Sequence, residues 1–193
     1  FYSNGKKKIL ISKEIEYLRI NSKTFYKFFI NRFKRNKNVS LKMNCSLKNL
    51  KYLANKVIIE TTKATYKSDI VFDSSLSKKD LKNIKLFQHF KGIEIKTSKP
   101  VFKKDEVTLM DIRDKKDMFN FVYLLPFSKN RALVESTYFS PEILDDEKYL
   151  QDIKEYIFEK FKITNFEYKY EEFGIIPMGK IVHNDFKNVF KIG

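Results

Sequence analysis

Among the residues able to do chemistry one carboxylate stands apart: Glu135, inside the run Phe119 to Thr137 (FNFVYLLPFSKNRALVEST), sits in the middle of an otherwise apolar stretch. A carboxylate in apolar surroundings is costly unless it is paired or used. Burial disfavours its charged form and raises its pKa, so such a Glu can be held protonated and serve as a general acid. Strand alternation puts Arg131, Leu133, Glu135 and Thr137 on one face and Ala132, Val134, Ser136 and Tyr138 on the other. The plainer alternative is a strand Glu paired with Arg131 on its own face. Phe121, Tyr123, Tyr138 and Phe139 are the aromatic rings nearest in sequence. They could steady a cation through cation–π attraction, or could simply be core.

The other candidates are weaker. His89 and His183 are the only histidines, and neither has Cys or carboxylate partners at metal-ligand spacing, so no metal site is expected. Ser128 and Ser136 lack a nucleophile-elbow context. The single Cys45 excludes an internal disulfide and reads as a small core or loop residue. Asp73, at the end of a strand, could reach a cofactor-binding network or could only form a turn. Pro177 and Gly179 read as turn residues.

The elements that must position Glu135 come next. Two apolar runs, Phe119 to Phe127 and Ala132 to Val134, flank Ser128, Lys129 and Asn130, which predicts a hairpin. Strands are also expected at Lys8 to Ser12, Glu14 to Ile20, Val39 to Met43, Lys56 to Thr61, Ser68 to Phe72, Leu86 to Thr97, Val107 to Ile112, Phe166 to Gly174 and Asn188 to Ile192. The stretch Val57 to Thr65 reads as a hairpin. Asn21 or Ser22 caps a helix whose Phe25, Phe28, Phe29 and Phe33 share a face and are expected in a core. Leu144, Leu150, Ile153, Ile157 and Phe161 mark a second helix, with Asp145 and Asp146 at its start, where they suit the helix dipole. Pattern alone describes a mixed, strand-rich chain.

Several motifs share one resemblance. Leu133-x-Glu135-x-Thr137, preceded by Phe121-Val-Tyr-Leu-Leu-Pro126, is similar to the Leu-x-Glu-x-Thr signature of bacterial lycopene cyclases. Gln88-His-Phe-Lys-Gly92-Ile-Glu94 resembles that family's Gln-x-Phe-x-Gly-x-Glu strand, Met110-Asp111 its Met-Asp pair, and Ile176-Pro-Met-Gly179 its Ile-Pro-Met-Gly turn. Asp73-Ser-Ser75 resembles the Asp-Ser/Ala-Arg that closes the preceding flavin-domain segment. The match runs from Ser68 to Gly193 with its motifs in family order.

The resemblance implies an α/β plus α+β flavoprotein of the hydroxylase/reductase type: an FAD-binding α/β domain, incomplete in this chain, with an inserted, mainly antiparallel β-sheet substrate domain. Residues 1–76 would belong to the FAD-binding domain, 77–179 to the substrate domain with its one helix, and 180–193 to the return into the FAD-binding domain. The implied activity is cyclisation of the ends of lycopene to β-rings by proton donation and removal. FAD would be used reduced and without net redox change, with NAD(P)H as reductant. Glu135 takes the family's proposed acid/base position, and Leu133, Thr137, Phe121 and Tyr123 are the expected substrate contacts. Asp73, Pro177 and Gly193 are the expected cofactor-binding positions. Where the family commonly has a second acidic residue, directly after the Glu, this chain has Ser136, which leaves the final proton acceptor open.

Composition bounds the alternatives. Lys and Arg number 39 against 24 Asp and Glu, a net charge of +15, which on its own points to a polyanionic partner. Only five of those cations are Arg, however, and base reading and bidentate phosphate recognition favour Arg. An A/T-rich coding bias explains the abundance of Lys, Asn, Ile, Phe and Tyr, and no nucleic-acid partner is expected. The Lys excess also suits an anionic membrane surface, where each Lys contributes about 1 kcal/mol. The longest apolar run, about ten residues, is short of the roughly 20 that span a bilayer, so any membrane contact is expected to be peripheral, and the single Cys45 fits a reducing cytoplasm, so a cytoplasmic, peripherally membrane-associated protein is expected. The start at Phe1 and the stop at Gly193 read as cut ends, with Gly-rich flavin turns expected beyond both; the five glycines never take Gly-x-Gly-x-x-Gly spacing. Two readings stand beside the cyclase: a related FAD-dependent monooxygenase or prenyl reductase, and a basic membrane- or nucleic-acid-binding module.

Overall fold

The computed structural model describes residues 2–3, 6–7, 11, 14, 17–76, 81–82, 84–115, 118–179 and 187–192. The chain divides into two units, Phe1–Glu16 with Lys78–Ile181, and Tyr17–Ser77 with Val182–Gly193. The opening strands go with the later sheet. The reason is pairing: strand β1 (Tyr2–Ser3) forms an antiparallel ribbon with β2 (Lys6–Lys7) and lies parallel to β8 (Thr108–Lys115), Tyr2 opposite Asp111.

The first unit is built on a seven-stranded sheet. Its strands, besides those three, are β7 (Phe87–Lys96), β9 (Met118–Ser128), β10 (Arg131–Ser140) and β11 (Glu167–Pro177). Their order is β11-β7-β10-β9-β8-β1-β2. The hairpin expected around Lys129 and Asn130 forms, with a register slip between Arg131 and Ala132 that leaves Ala132 opposite Pro126. A proline lacks the N–H an inner strand needs, and a bulge is where one is tolerated.

Helix α2 (Asp146–Phe161) covers one face of this sheet. Asp145 precedes its first turn without a side-chain capping bond, Asp146 and Glu147 occupy that turn, and Lys162 ends it in the left-handed region at φ 57°. Tyr149, Asp152, Ile153, Tyr156 and Ile157 are buried at the i, i+3, i+4, i+7, i+8 spacing of one helical stripe. The apolar members of that stripe meet Ile93, Ile95, Val122, Leu124, Ala132 and Val134, with Phe102 alongside, to form the core. Polar pins fix the helix on the sheet. Asp152 accepts from Tyr138 and takes Lys115 and Lys148 at 2.9 and 2.7 Å, and Asp111 of the Met110-Asp111 pair takes Tyr156 at 3.1 Å and Lys160 at 2.9 Å. Met110 itself sits at φ 54° in the bulge of β8. His89 is a structural histidine, sealed between Ser140 (2.7 Å) and Tyr149 (2.5 Å), and burial pushes its pKa down.

The second unit holds helix α1 (Ser22–Arg35), a three-stranded antiparallel sheet of β3 (Leu47–Leu53), β4 (Lys56–Thr61) and β5 (Thr65–Ser68), and a parallel pair of β6 (Val71–Asp73) with β12 (Val189–Lys191). Asn21 caps α1, accepting from the Thr24 N–H at 3.0 Å. The turn between β3 and β4 places Ala54 and Asn55 both at positive φ, 48° and 62°, the geometry of a type I′ hairpin.

Several expectations are corrected here. No strand forms at 39–43; the pairing partner of β4 is Leu47–Leu53, whose Asn and Lys residues mask its alternation. Among the described residues of 14–20 there is no strand, and most of the strand expected at 8–12 lies outside the described residues, with Ile11 not in a strand. The strand expected at 68–72 is two strands, parted at Asp69 and Ile70. The phenylalanines of α1 do share a face, but they pack on one another, Phe25 to Phe29 at 4.7 Å and Phe28 to Phe29 at 5.2 Å, and α1 buries no residue completely.

Candidate active site

The face of the sheet opposite α2 carries Glu135. On β10 the residues 131, 133, 135 and 137 point one way because side chains alternate, and the buried 132, 134, 136 and 138 belong to the helix side. Register then decides the neighbours. Leu133, Glu135 and Thr137 stand opposite Glu94, Gly92 and Phe90 of β7, and opposite Leu125, Tyr123 and Phe121 of β9. The two period-2 motifs, Gln88-x-Phe90-x-Gly92-x-Glu94 and Leu133-x-Glu135-x-Thr137, are thus the two halves of one surface.

Glu135 is half-buried, and Thr137 bonds to it, its hydroxyl donating to Oε1 at 2.8 Å. That bond is the physical content of the Glu-x-Thr spacing: two residues along a strand return to the same face. Arg131 does not pair with Glu135. It donates to Glu94 instead, its Nε at 3.1 Å and its terminal nitrogen closer still, so the salt-bridged alternative describes Glu94. No cation pairs with Glu135 among the described residues. Burial pushes its carboxyl up from 4.5 to about 7, Thr137 pulls it down, and the negative charge of Glu172 pushes it up further.

The surroundings of Glu135 are aromatic and closely packed. Phe121 is 2% exposed, Leu133 8% and Thr137 0%. Phe121 lies 5.1 Å from Tyr123, 6.2 Å from Phe139 and 5.9 Å from Phe119, ring centre to ring centre, so four rings of β9 and β10 line the same face. Tyr138 does not join them. It faces α2 and donates to Asp152, which makes it a structural residue. Ser136 also faces α2, accepting from Asn120 at 3.1 Å, so a carboxylate at that position would point away from Glu135.

The expected cofactor-binding residues lie elsewhere. Asp73 is buried at the end of β6, where Oδ1 accepts from the Ser75 N–H (2.8 Å) and hydroxyl (2.7 Å) and Oδ2 meets Lys191 at 3.0 Å. Despite its burial these partners hold its pKa down, and its carboxylate ties β6 to β12. Pro177 ends β11 opposite Phe87, and the next residue, Met178, donates to the Leu86 carbonyl at 2.9 Å. Gly193 lies outside the described residues. Among the described residues no group of His, Cys, Asp and Glu could hold a metal ion. The described residues contain no Gly-rich turn to cradle a dinucleotide pyrophosphate, and Asp73 is fully engaged with its own neighbours.

Two residues of this face were not singled out by sequence. Gly92 stands directly opposite Glu135, and a Cβ there would come within 3.0 Å of Glu172 Cγ, 3.1 Å of Glu172 Oε1 and 3.2 Å of Leu133 Cδ1. Glu172 is opposite Gly92 on its other side. The glycine was legible as part of a period-2 motif. The placement of Glu172 depends on the slip in β11 between Tyr168 and Tyr170, which no pattern in EYKYEEFGIIP announces.

Compared with known protein families, residues 1–193 match the family described as lycopene cyclase protein. No curated protein matches the chain. Among solved structures it is similar to a crystal structure assigned as a protoporphyrinogen oxidase from Exiguobacterium sp. 255-15, with a TM-score of 0.53 at 9% identity over 86% of this chain. At that identity the likeness concerns the fold alone. The chain spans 45% of that structure's length.

Proposed function

The chain belongs to the lycopene cyclase family, and from that premise we propose that it takes part in carotenoid biosynthesis by closing the ends of lycopene into β-rings, with Glu135 as the proton donor. The observation that carries this reading is the state of Glu135: a carboxyl without a cation partner among the described residues, raised to about 7 by burial, on a face lined by aromatic rings. Cyclisation needs a proton on the terminal C=C, a tertiary cation at the neighbouring carbon, attack by an internal C=C and loss of a proton. A carboxyl that keeps its proton near neutrality can begin that sequence where a surface Glu cannot. Phe121, Tyr123, Phe139 and Phe119 offer π faces to the cation without a nucleophile to trap it. Leu133 and Thr137 shape the wall beside Glu135, and Thr137 fixes the direction of its carboxyl.

FAD in reduced form, with NAD(P)H as its reductant, is part of this reading and would supply negative charge to steady the cation. Residues that would hold its pyrophosphate are not among those described, and no step above passes through it. Lycopene is an apolar polyene, so the reading also has the chain working as a peripheral membrane protein on the cytoplasmic side. The net charge of +15 supports that, and no helix among the described residues is long and apolar enough to cross a bilayer.

The test is Glu135→Gln in the flavin-loaded protein, with the carotenoid products separated by chromatography. Loss of cyclic product is expected, and wild-type yields would refute the assignment. Stoichiometric consumption of NAD(P)H with each turnover would point to a redox flavoenzyme instead.

A further inference from the structure

The geometry points to Glu172 as the proton acceptor of the cyclisation, working with Glu135 across Gly92 as a donor–acceptor pair of carboxyls; this rests on the reading of Glu135 given above. The slip in β11 sets Glu172, and not Glu171, on the Glu135 face. Consecutive strand residues point to opposite faces, and Glu171 accordingly turns toward Lys91 on the helix side, 3.3 Å from its Nζ. Glu172 has no such cation among the described residues. Its Oε1 lies 3.1 Å from the point a Gly92 Cβ would occupy, so the side chain leans over the bare backbone of β7.

Glu135 and Glu172 flank Gly92 in register from its two sides. With strands about 4.8 Å apart their Cα atoms are about 10 Å apart, a gap that two Glu side chains close toward one another. Any other residue at position 92 would fill that gap. Register also places on this face Glu94, paired with Arg131, Tyr123 beside Glu135, Tyr170 next along β11, Lys96 opposite Glu167 at the end of β7, and Asp114 opposite Phe119. Burial and the negative charge of Glu172 both disfavour ionisation of Glu135, which therefore holds the proton at the start.

The proton count then closes. The Glu135 O–H bond breaks as a C–H bond forms on the terminal C=C, and the internal C=C closes the ring and leaves a tertiary cation. The carboxylate of Glu172 takes a proton from the carbon beside that cation, whose C–H electrons become the ring double bond. Glu172, now protonated, returns the proton to Glu135 directly or through one water. Nothing is oxidised or reduced, and product and substrate are isomers.

The experiment compares Glu172→Gln, Glu172→Asp, Glu171→Gln and Glu135→Gln in the flavin-loaded protein with lycopene in liposomes, following cyclic product between about pH 5 and pH 9. Glu172→Gln should cut turnover at least about 100-fold. It should also abolish the acid limb of the pH profile, which reports the base losing its charge, while thermal stability holds. Glu172→Asp should keep that limb and turn over faster than the Gln variant, and Glu171→Gln should cyclise like wild type. Wild-type turnover with an unchanged pH profile in Glu172→Gln overturns the inference. So does a loss in Glu172→Asp equal to that in Glu172→Gln, which also decides the matter should the Gln variant fold poorly. If Glu135→Gln still cyclises, the reading of Glu135 falls; if it is inactive while Glu172→Gln is active, only the role of Glu172 falls.

Discussion

Replacing Glu135 by Gln should make the protein more stable at alkaline pH while removing its activity. In the folded chain the Glu135 carboxyl is raised from 4.5 to about 7, chiefly by burial, so its charged form is disfavoured relative to the unfolded chain. A carboxyl with a raised folded pKa helps the fold most below about pH 4.5, and that help is lost as pH climbs through about 7. The rise from 4.5 to about 7 corresponds to about 3.4 kcal/mol, and partial solvent contact trims this to about 2–3 kcal/mol. Gln has nearly the same shape, can still accept from Thr137, and never ionises. The variant should therefore melt close to wild type near pH 4 and roughly 5–10 °C above it at about pH 8.5 for a chain of this size. Circular dichroism melts of both proteins at several pH values measure this. A melting difference that does not change with pH, or a variant less stable than wild type at about pH 8.5, would refute the claim that Glu135 sits in the fold as a strained carboxyl.

Further predictions follow the same contacts. Thr137→Val removes the hydroxyl that favours the charged form of Glu135, so the alkaline limb of the cyclisation profile should move to higher pH; a move to lower pH contradicts the hydrogen bond. Gly92→Ala would press a methyl group onto Glu172 and Leu133, costing about 1–3 kcal/mol by denaturant unfolding and lowering cyclic product, and an unaffected product yield would show that the bare backbone is not needed. Ile153→Ala opens a hole where α2 meets the sheet and should cost about 2–5 kcal/mol in the same assay.

Period-2 spacing alone put Leu133, Glu135 and Thr137 on one face, and the same rule puts Gln88, Phe90, Gly92 and Glu94 on one face. The hairpin around Asn130 and the apolar stripe of α2 were equally legible, because each is set by residues close in sequence. Less so were the elements of Tyr17–Ser77: β3 carries polar residues that hide its alternation, and the aromatic face of α1 looks like a core stripe although its rings lie largely exposed. What the sequence determined by itself is which residues share a face within each strand, since that follows from local geometry. Tertiary structure decided which strands sit side by side and in what register. It gave Arg131 to Glu94 and not to Glu135, turned Tyr138 and Ser136 under the helix, and through one slipped residue in β11 brought Glu172 to Gly92. Register is a long-range property: a shift of one residue moves every side chain of a strand to the other face, and only the packed sheet fixes it.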